Sequence, residues 1–235
     1  GSSFPYVISG TVVVNQGATL TMNPGVIIKG RINNSLFMIQ GTLLALGTAE
    51  APIIFTAAND DAAGGDTDGD GGIPEAGYWK GIRVEPTGTA RFDHTAVRYA
   101  GGYEYAYTEF SNLINQGGTL EFTNSETSFA SQNGIKHNAG TTTVAGSNLA
   151  HTPVGVYITA PFVSVTDSVF DTTPTAISVA GGDYSSDIFT ASGNTYVGNQ
   201  VPIIEISSMN VVGNVTWGSS FPYVISGTVV VNQGA

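Results

Sequence analysis

No cysteine occurs among the 235 residues, which excludes a disulfide framework, a thiolate metal site and a thiol nucleophile. Positive charge is scarce as well. Seven Lys and Arg stand against 18 Asp and Glu, for a formal charge of −11. The seven (Lys29, Arg31, Lys80, Arg83, Arg91, Arg98 and Lys136) are scattered, so phosphate backbones and anionic headgroups are repelled and nucleic acid is not expected as a partner. No apolar run approaches the roughly 20 residues of a membrane span, and the opening GSSFPYVISG lacks the basic and apolar regions of a signal peptide. The segment is therefore expected to be soluble, with any export signal outside it. No stretch of about 11 residues carries the i, i+3, i+4 apolar spacing of an amphipathic helix. Phosphate loops, dinucleotide fingerprints, HExxH and G-x-S-x-G are also missing.

What is present is 31 glycines, 41% hydrophobic residues and only 11% charged ones, a β-rich and turn-rich composition long enough for one buried core. The segment GSSFPYVISGTVVVNQGA occupies residues 1–18 and recurs unchanged at 218–235, a period of 218 − 1 = 217 residues. Eighteen consecutive identities exceed what a shared strand pattern requires, because many side chains satisfy such a pattern. Residues 1–217 are therefore read as one complete tandem unit and 218–235 as the start of the next; an engineered overlap is the alternative. NVVGNVTW (210–217) runs into GSSFPYVISG without a linker, which places Trp217, Gly218, Phe221 and Tyr223 at a junction between units.

A finer period lies inside the unit. Short β-branched runs such as Thr11–Val14, Thr19–Met22, Val26–Lys29, Leu36–Ile39, Thr42–Ala45 and Ile53–Thr56 are separated by Gly, Asn, Asp or Pro. Later residues fall into lines of roughly 20 to 25 with two or three strands each. Strands that follow strands without helices between them can pair in parallel if the chain coils, each strand lying on its counterpart in the next coil about 4.8 Å away. The expected fold is all-β, a right-handed parallel β-helix (β-solenoid) of about ten rungs per repeat and a rise on the order of 50 Å. Asn124, Asn148, Asp167 and Asn194 recur at similar places and are expected to form stacked polar turns.

ATLTMNPGVIIKG (18–30), FMIQGTLLALGTAEAPIIFTA (37–57), GYWKGIRVE (77–85) and HTAVRYAGG (94–102) resemble secreted and cell-surface proteins with pectate-lyase-like parallel β-helix repeats, strongly over about residues 10–102. The resemblance implies an extracellular or cell-surface, adhesin-like protein. The same solenoid also hosts polysaccharide lyases and epimerases, so it indicates architecture more securely than activity.

Two loops interrupt the rungs. In the acidic insertion 57–78, Asp66, Asp68 and Asp70 alternate ahead of Gly71, the spacing of a calcium loop. The twelfth position is Gly77 and no helices flank it, so Glu75 or a carbonyl is expected to complete the shell; a solvated acidic turn is the alternative. Ca2+ is the one cofactor expected, in a stabilising role. The aromatic loop 100–112 offers Tyr103, Tyr105, Tyr107 and Phe110 for contact with a surface polysaccharide or a neighbouring protomer, or as a cover for the solenoid side. Asp93, His94, Arg98 and Tyr99 are the one compact group suited to lyase chemistry, read more simply as a strand end, and His137 and His151 are read as surface or turn residues. Asn33 and Asn214 head N-x-S/T triplets. The chain is expected to be no enzyme but a structural unit of a fibre, stalk or adhesin, stacking end to end on copies of itself. Carbohydrate binding, or lyase or epimerase action on acidic polysaccharide, is the alternative.

Overall fold

The structure, a computed structural model, describes residues 4–69, 71–102, 110–185, 189–198, 200–218 and 220–235. Its regular elements are all β-strands, and every strand pair is parallel. They lie on three faces of a coil. The first face stacks Tyr6–Ile8, Ile27–Gly30, Ile53–Ala57, Thr95–Arg98, Glu126–Ser128, Asn148–Ala150, Val169–Asp171 and Thr195–Val197 in one 8-stranded sheet. The second begins with Thr11–Val14, Leu36–Ile39 and Gly81–Val84, and the third with Thr19–Met22, Thr42–Leu46 and Thr89–Asp93. These two merge where Ser111–Thr123 and Asn133–Ala145 run across both. The result is a right-handed parallel β-helix. Among the described residues the first face stacks eight strands, fewer than the roughly ten rungs expected, because loops lengthen some coils. Paired first-face residues are 21 apart from Leu149 to Phe170 but 42 apart from Phe55 to Val97.

Alternation puts every second side chain inside, and the inward set forms one continuous core. Phe37, Phe55, Phe92 and Phe122 step through it with ring centroids 5.6, 6.2 and 5.9 Å apart. All four are buried, and each contributes about 1.5–3 kcal/mol by leaving water.

The corner between third and first faces is a single residue in left-handed conformation: His94, Asn124, Gly146, Asp167 and Gly193, with φ between 46° and 67°. Asn124 and Asp167 meet the expectation of stacked polar turns. Gly146 and Gly193 alternate with them for a second reason. A Cβ on Gly193 would lie 2.1 Å from Asp167 Oδ1, and one on Gly146 would lie 3.0 Å from Asn124 Oδ1. The next residues, Thr95, Ser125, Ser147, Ser168 and Asn194, form a buried ladder. The amides of Thr95, Ser125 and Ser147 donate to the hydroxyl of the following coil at 3.0, 3.2 and 3.2 Å, and that of Ser168 donates to Asn194 Oδ1 at 3.0 Å. Each Ser hydroxyl donates in turn to the carbonyl two residues back. The chain thus reverses without orphaning a buried amide.

His137 is not the surface or turn residue expected, for it lies within the strand Asn133–Ala145 and is fully buried between the second and third faces. Its Nε2 faces the Pro161 carbonyl at 2.9 Å, an oxygen that can only accept, so Nε2 carries the proton. Nδ1 accepts from the Thr142 hydroxyl at 2.9 Å, and that oxygen accepts from Asn115 Nδ2 at 3.0 Å. Burial lowers the imidazole pKa from its ordinary 6.5, against a smaller opposing effect of the Pro161 carbonyl. The unfolded chain therefore binds this proton first as pH falls. Stability from His137 is full above about pH 6.5 and declines as pH drops through that value. Urea midpoints measured from pH 7.5 to 5 are expected to fall, with a smaller fall for His137→Asn; equal slopes for both proteins would contradict this.

Candidate functional site

The acidic insertion leaves the first face after Ala57, and the chain rejoins the solenoid on the second face at Gly81. Its hold on the solenoid begins with Lys29, whose side chain points out of the first face and is covered by the loop. Fully buried, Lys29 Nζ donates to the carbonyls of Gly65 at 2.5 Å and Ala58 at 3.4 Å. Asp60, 2% exposed, accepts from Thr56 Oγ1 at 2.6 Å and pairs with Arg98 at 2.8 Å. Trp79, wholly buried, donates from Nε1 to the Arg98 carbonyl at 2.9 Å. It fits because residue 30 is glycine, where a Cβ would lie 2.9 Å from the ring.

Within this loop Asp61, Asp66 and Asp68 each offer a carboxylate oxygen within 4.8 Å of the others. Two oxygens on opposite sides of a calcium, at about 2.3–2.6 Å each, are about that far apart. Asp66 and Asp68 lie together in this group, and Asp61 joins them from five residues before the alternating run. Glu75 is exposed and outside this group, and Asp70 lies outside the described residues. Asp66 Oδ1 accepts the amides of Gly69 and Asp68 at 2.6 and 3.1 Å, and these bonds lower the pKa of its carboxyl. Among the described residues, no group donates to the buried oxygens Asn59 Oδ1 and Asp61 Oδ1.

The compact group Asp93, His94, Arg98 and Tyr99 does not stay together. Asp93 and His94 sit at the corner before the strand Thr95–Arg98, and Arg98 and Tyr99 at its far end. An extended strand advances about 3.3 Å per residue, which separates the pairs by about 13 Å. Arg98 is engaged by Asp60, and Asp93 Oδ1 accepts from Asn124 Nδ2 at 2.9 Å with His94 Nδ1 lying 3.0 Å away. A groove of about 420 Å³ follows this corner along the axis, lined by His94, Asn124, Glu126, Asn148 and Asp167 among others.

Tyr103, Tyr105 and Tyr107 lie outside the described residues. Phe110 serves through its backbone, its carbonyl accepting the amides of Gln132 and Asn133 at 3.1 Å each. A different aromatic array occupies the surface. Tyr99, Phe129 and His151 stack face to face at 5.0 and 4.8 Å, all at left-handed corners that end first-face strands. His151 is exposed, as expected. These three are 30 and 22 positions apart in sequence, and only knowledge of the register brings them into one column.

The junction residues form a cluster. Trp217 stacks on Tyr223 at 4.8 Å, and Phe221, 4% exposed, meets Phe170 at 5.5 Å and Tyr196 at 6.4 Å. Its counterpart Phe4 is 87% exposed. The two copies also pair differently. Tyr6–Ile8 lies on the first face against Ile28–Gly30, whereas Tyr223–Ile225 lies on the second face against Ile204–Ile206.

Parallel coils, a continuous core and ladders at the corners define a parallel β-helix protein. Residues 2–103 match the family described as pectate-lyase like beta helix domain. No curated protein and no solved structure matches the chain. No helix among the described residues is long and apolar enough to cross a membrane.

The two copies invite a direct comparison. A Cβ on Gly227 would fall 1.8 Å from the Ser207 carbonyl oxygen, whereas one on Gly10 meets nothing within 4 Å. Gly227→Ala is expected to destabilise the strand Tyr223–Val231 by about 1–3 kcal/mol, and Gly10→Ala to stay within about 0.5 kcal/mol. Amide exchange of the affected strand checks this, and equal protection losses would refute the two pairings.

Proposed function

We propose that this chain is a structural repeat unit of an extracellular or cell-surface fibre, stalk or adhesin-like protein, stacking on copies of itself as a continuous β-solenoid. The recurrence of residues 1–18 at 218–235 carries this reading. The unit acts as a spacer rather than an enzyme, in keeping with the separation of Asp93 and His94 from Arg98. At about 4.8 Å per coil, the eight coils rise about 40 Å. Electron microscopy of the native material is expected to show fibres with that axial repeat, and discrete particles with no alignment would sink the proposal.

Calcium at Asp61, Asp66 and Asp68 belongs to this reading, with Asp70 and Glu75 as further carboxylates of the same loop. Three close carboxylates repel one another, and a hard cation would cancel that repulsion and pin the loop over Lys29. Chelation is expected to lower the melting temperature, and Asp66→Asn to abolish the difference between metal-loaded and chelated protein. Identical transitions with and without chelator, and no bound metal, would remove the cation.

Carbohydrate binding is the second reading, favoured by the axial groove and the stack of Tyr99, Phe129 and His151. Asp93, Glu126 and Asp167 make that corner acidic, so an uncharged glycan suits it better than an acidic one. Release of unsaturated products from an acidic polysaccharide would instead establish lyase activity and overturn the purely structural role.

A further inference from the structure

The identical segments are seated on opposite edges. In the first copy, the carbonyls of Ile8, Gly10 and Val14 accept the amides of Arg31, Leu36 and Gln40 at 3.0, 3.4 and 2.9 Å. Asn34 Nδ2 and Ser35 Oγ also donate to the carbonyls of Ser9 and Ile8, at 2.8 and 2.6 Å. Shifted by 217, these accepting positions are Ile225, Gly227 and Val231. In the second copy the pairing with Ile203–Val211 uses other groups. The Pro222 carbonyl accepts from Ile204 at 2.9 Å, and the Asn232 amide donates to Val211 at 2.9 Å. Successive residues of a strand direct their amide and carbonyl to opposite edges. Ile225, Gly227 and Val231 therefore point away from Ile203–Val211, and no backbone group is needed by both seats.

We infer that this 18-residue segment is a shared rung through which copies of the chain join head to tail. Residues 218–235 of one copy take the place of 1–18 on the next. They keep Ile203–Val211 of their own unit on one edge and accept Ile27–Gly30 and Leu36–Ile39 of the neighbour on the other. The inference rests on the structural-repeat reading above and specifies its contact. The Ser–Gly pair is the adjustable point, a corner at Ser9–Gly10 between two faces and a register irregularity at Ser226–Gly227 within one strand. Because Tyr223–Ile225 lies on the second face of its own unit while Tyr6–Ile8 pairs with first-face strands, each junction advances the solenoid by one face. The outer-coil place where Phe4 is exposed is taken in the joined form by the neighbour's Phe221, whose ring stays buried against Phe170 and Tyr196 of its own unit.

The identity of the copies allows one substitution to be tested in two places in the full chain. Val12 and Val229 both pack against the core. Val12→Asp unseats the chain's own first copy and opens the edge at Ile27–Ile39, so sedimentation is expected to show a larger share of multiples than the unaltered chain gives. Val229→Asp alone leaves single units, and the double variant also stays single, although both its edges are open. Equal association of Val12→Asp and the double variant would mean that exposed ends adhere without the segment and would overturn the proposal, as would monomeric Val12→Asp of native circular dichroism.

A covalent readout does not depend on that variant folding. Val13 pairs with Met38, so Val230 of a neighbour takes the same register. With no native cysteine, the otherwise unaltered chain carrying Met38→Cys and Val230→Cys, oxidised after mild denaturant has loosened the outer strands, is expected to give a ladder of disulfide-linked multimers. Loss of that ladder on adding the 18-residue peptide in excess supports the shared seat, and its absence from the start refutes it. Fibres of about 40 Å repeat without cross-links would leave the structural role intact and remove only the shared rung; cross-links without native fibres would do the reverse.

Discussion

A parallel strand has its hydrogen-bonding partners only in the coils beside it, and every other feature of this molecule follows from that dependence. With no helical crossover to return the chain, three short strands and their corners must close each coil. The corners then become the places where buried amides are most at risk. The ladder through Thr95, Ser125, Ser147, Ser168 and Asn194 meets that risk by giving four of those amides a side-chain oxygen from the following coil. The same stacking makes each coil's stability a property of its neighbours, as in other solenoids.

Loops leave such a stack without disturbing it when they leave at a corner. The acidic insertion departs where the first face ends, and it is tied down by groups the solenoid already presents: the amine of Lys29, the guanidinium of Arg98 and the gap above Gly30 that admits Trp79. Negative charge at Asp61, Asp66 and Asp68 is thereby gathered above a buried ammonium group, an arrangement that holds the loop in place and leaves its carboxylates turned toward one another. The corner between the third and first faces presents a groove, and later coils at the insertion's own corner carry the aromatic stack. Each coil repeats a surface feature of the last, so the surface is organised in lines along the axis rather than as a single cleft.

Much of the fold was legible in the chain. Strand runs such as Thr11–Val14, Leu36–Ile39 and Thr42–Ala45 stand out because short stretches of apolar and β-branched residues lie between Gly, Asn and Pro turns, and a local pattern suffices to mark them. The candidate site was legible only in part. Asp66 and Asp68 are neighbours in sequence and were found together, but Asp61 joins them through a loop path that no spacing rule describes. His137 reads as an isolated polar residue, yet Pro161, Thr142 and Asn115 from other strands bury and satisfy it. Asp93 and Arg98 look like neighbours, and an extended strand parts them.

The order of strands along the chain and the recurrence of eighteen residues at a distance of 217 were determined by the sequence alone, because each is a property of consecutive residues. The number of coils, the column that unites Tyr99, Phe129 and His151, and the different seats of two identical segments were decided by the tertiary structure. Coil length varies with every inserted loop, so register, and with it every contact between distant residues, exists only once the strands have stacked. Phe4 and Phe221 have the same neighbours in sequence from the glycine before them onward, yet one faces water and the other closes the core, because only the second has a completed coil beneath it.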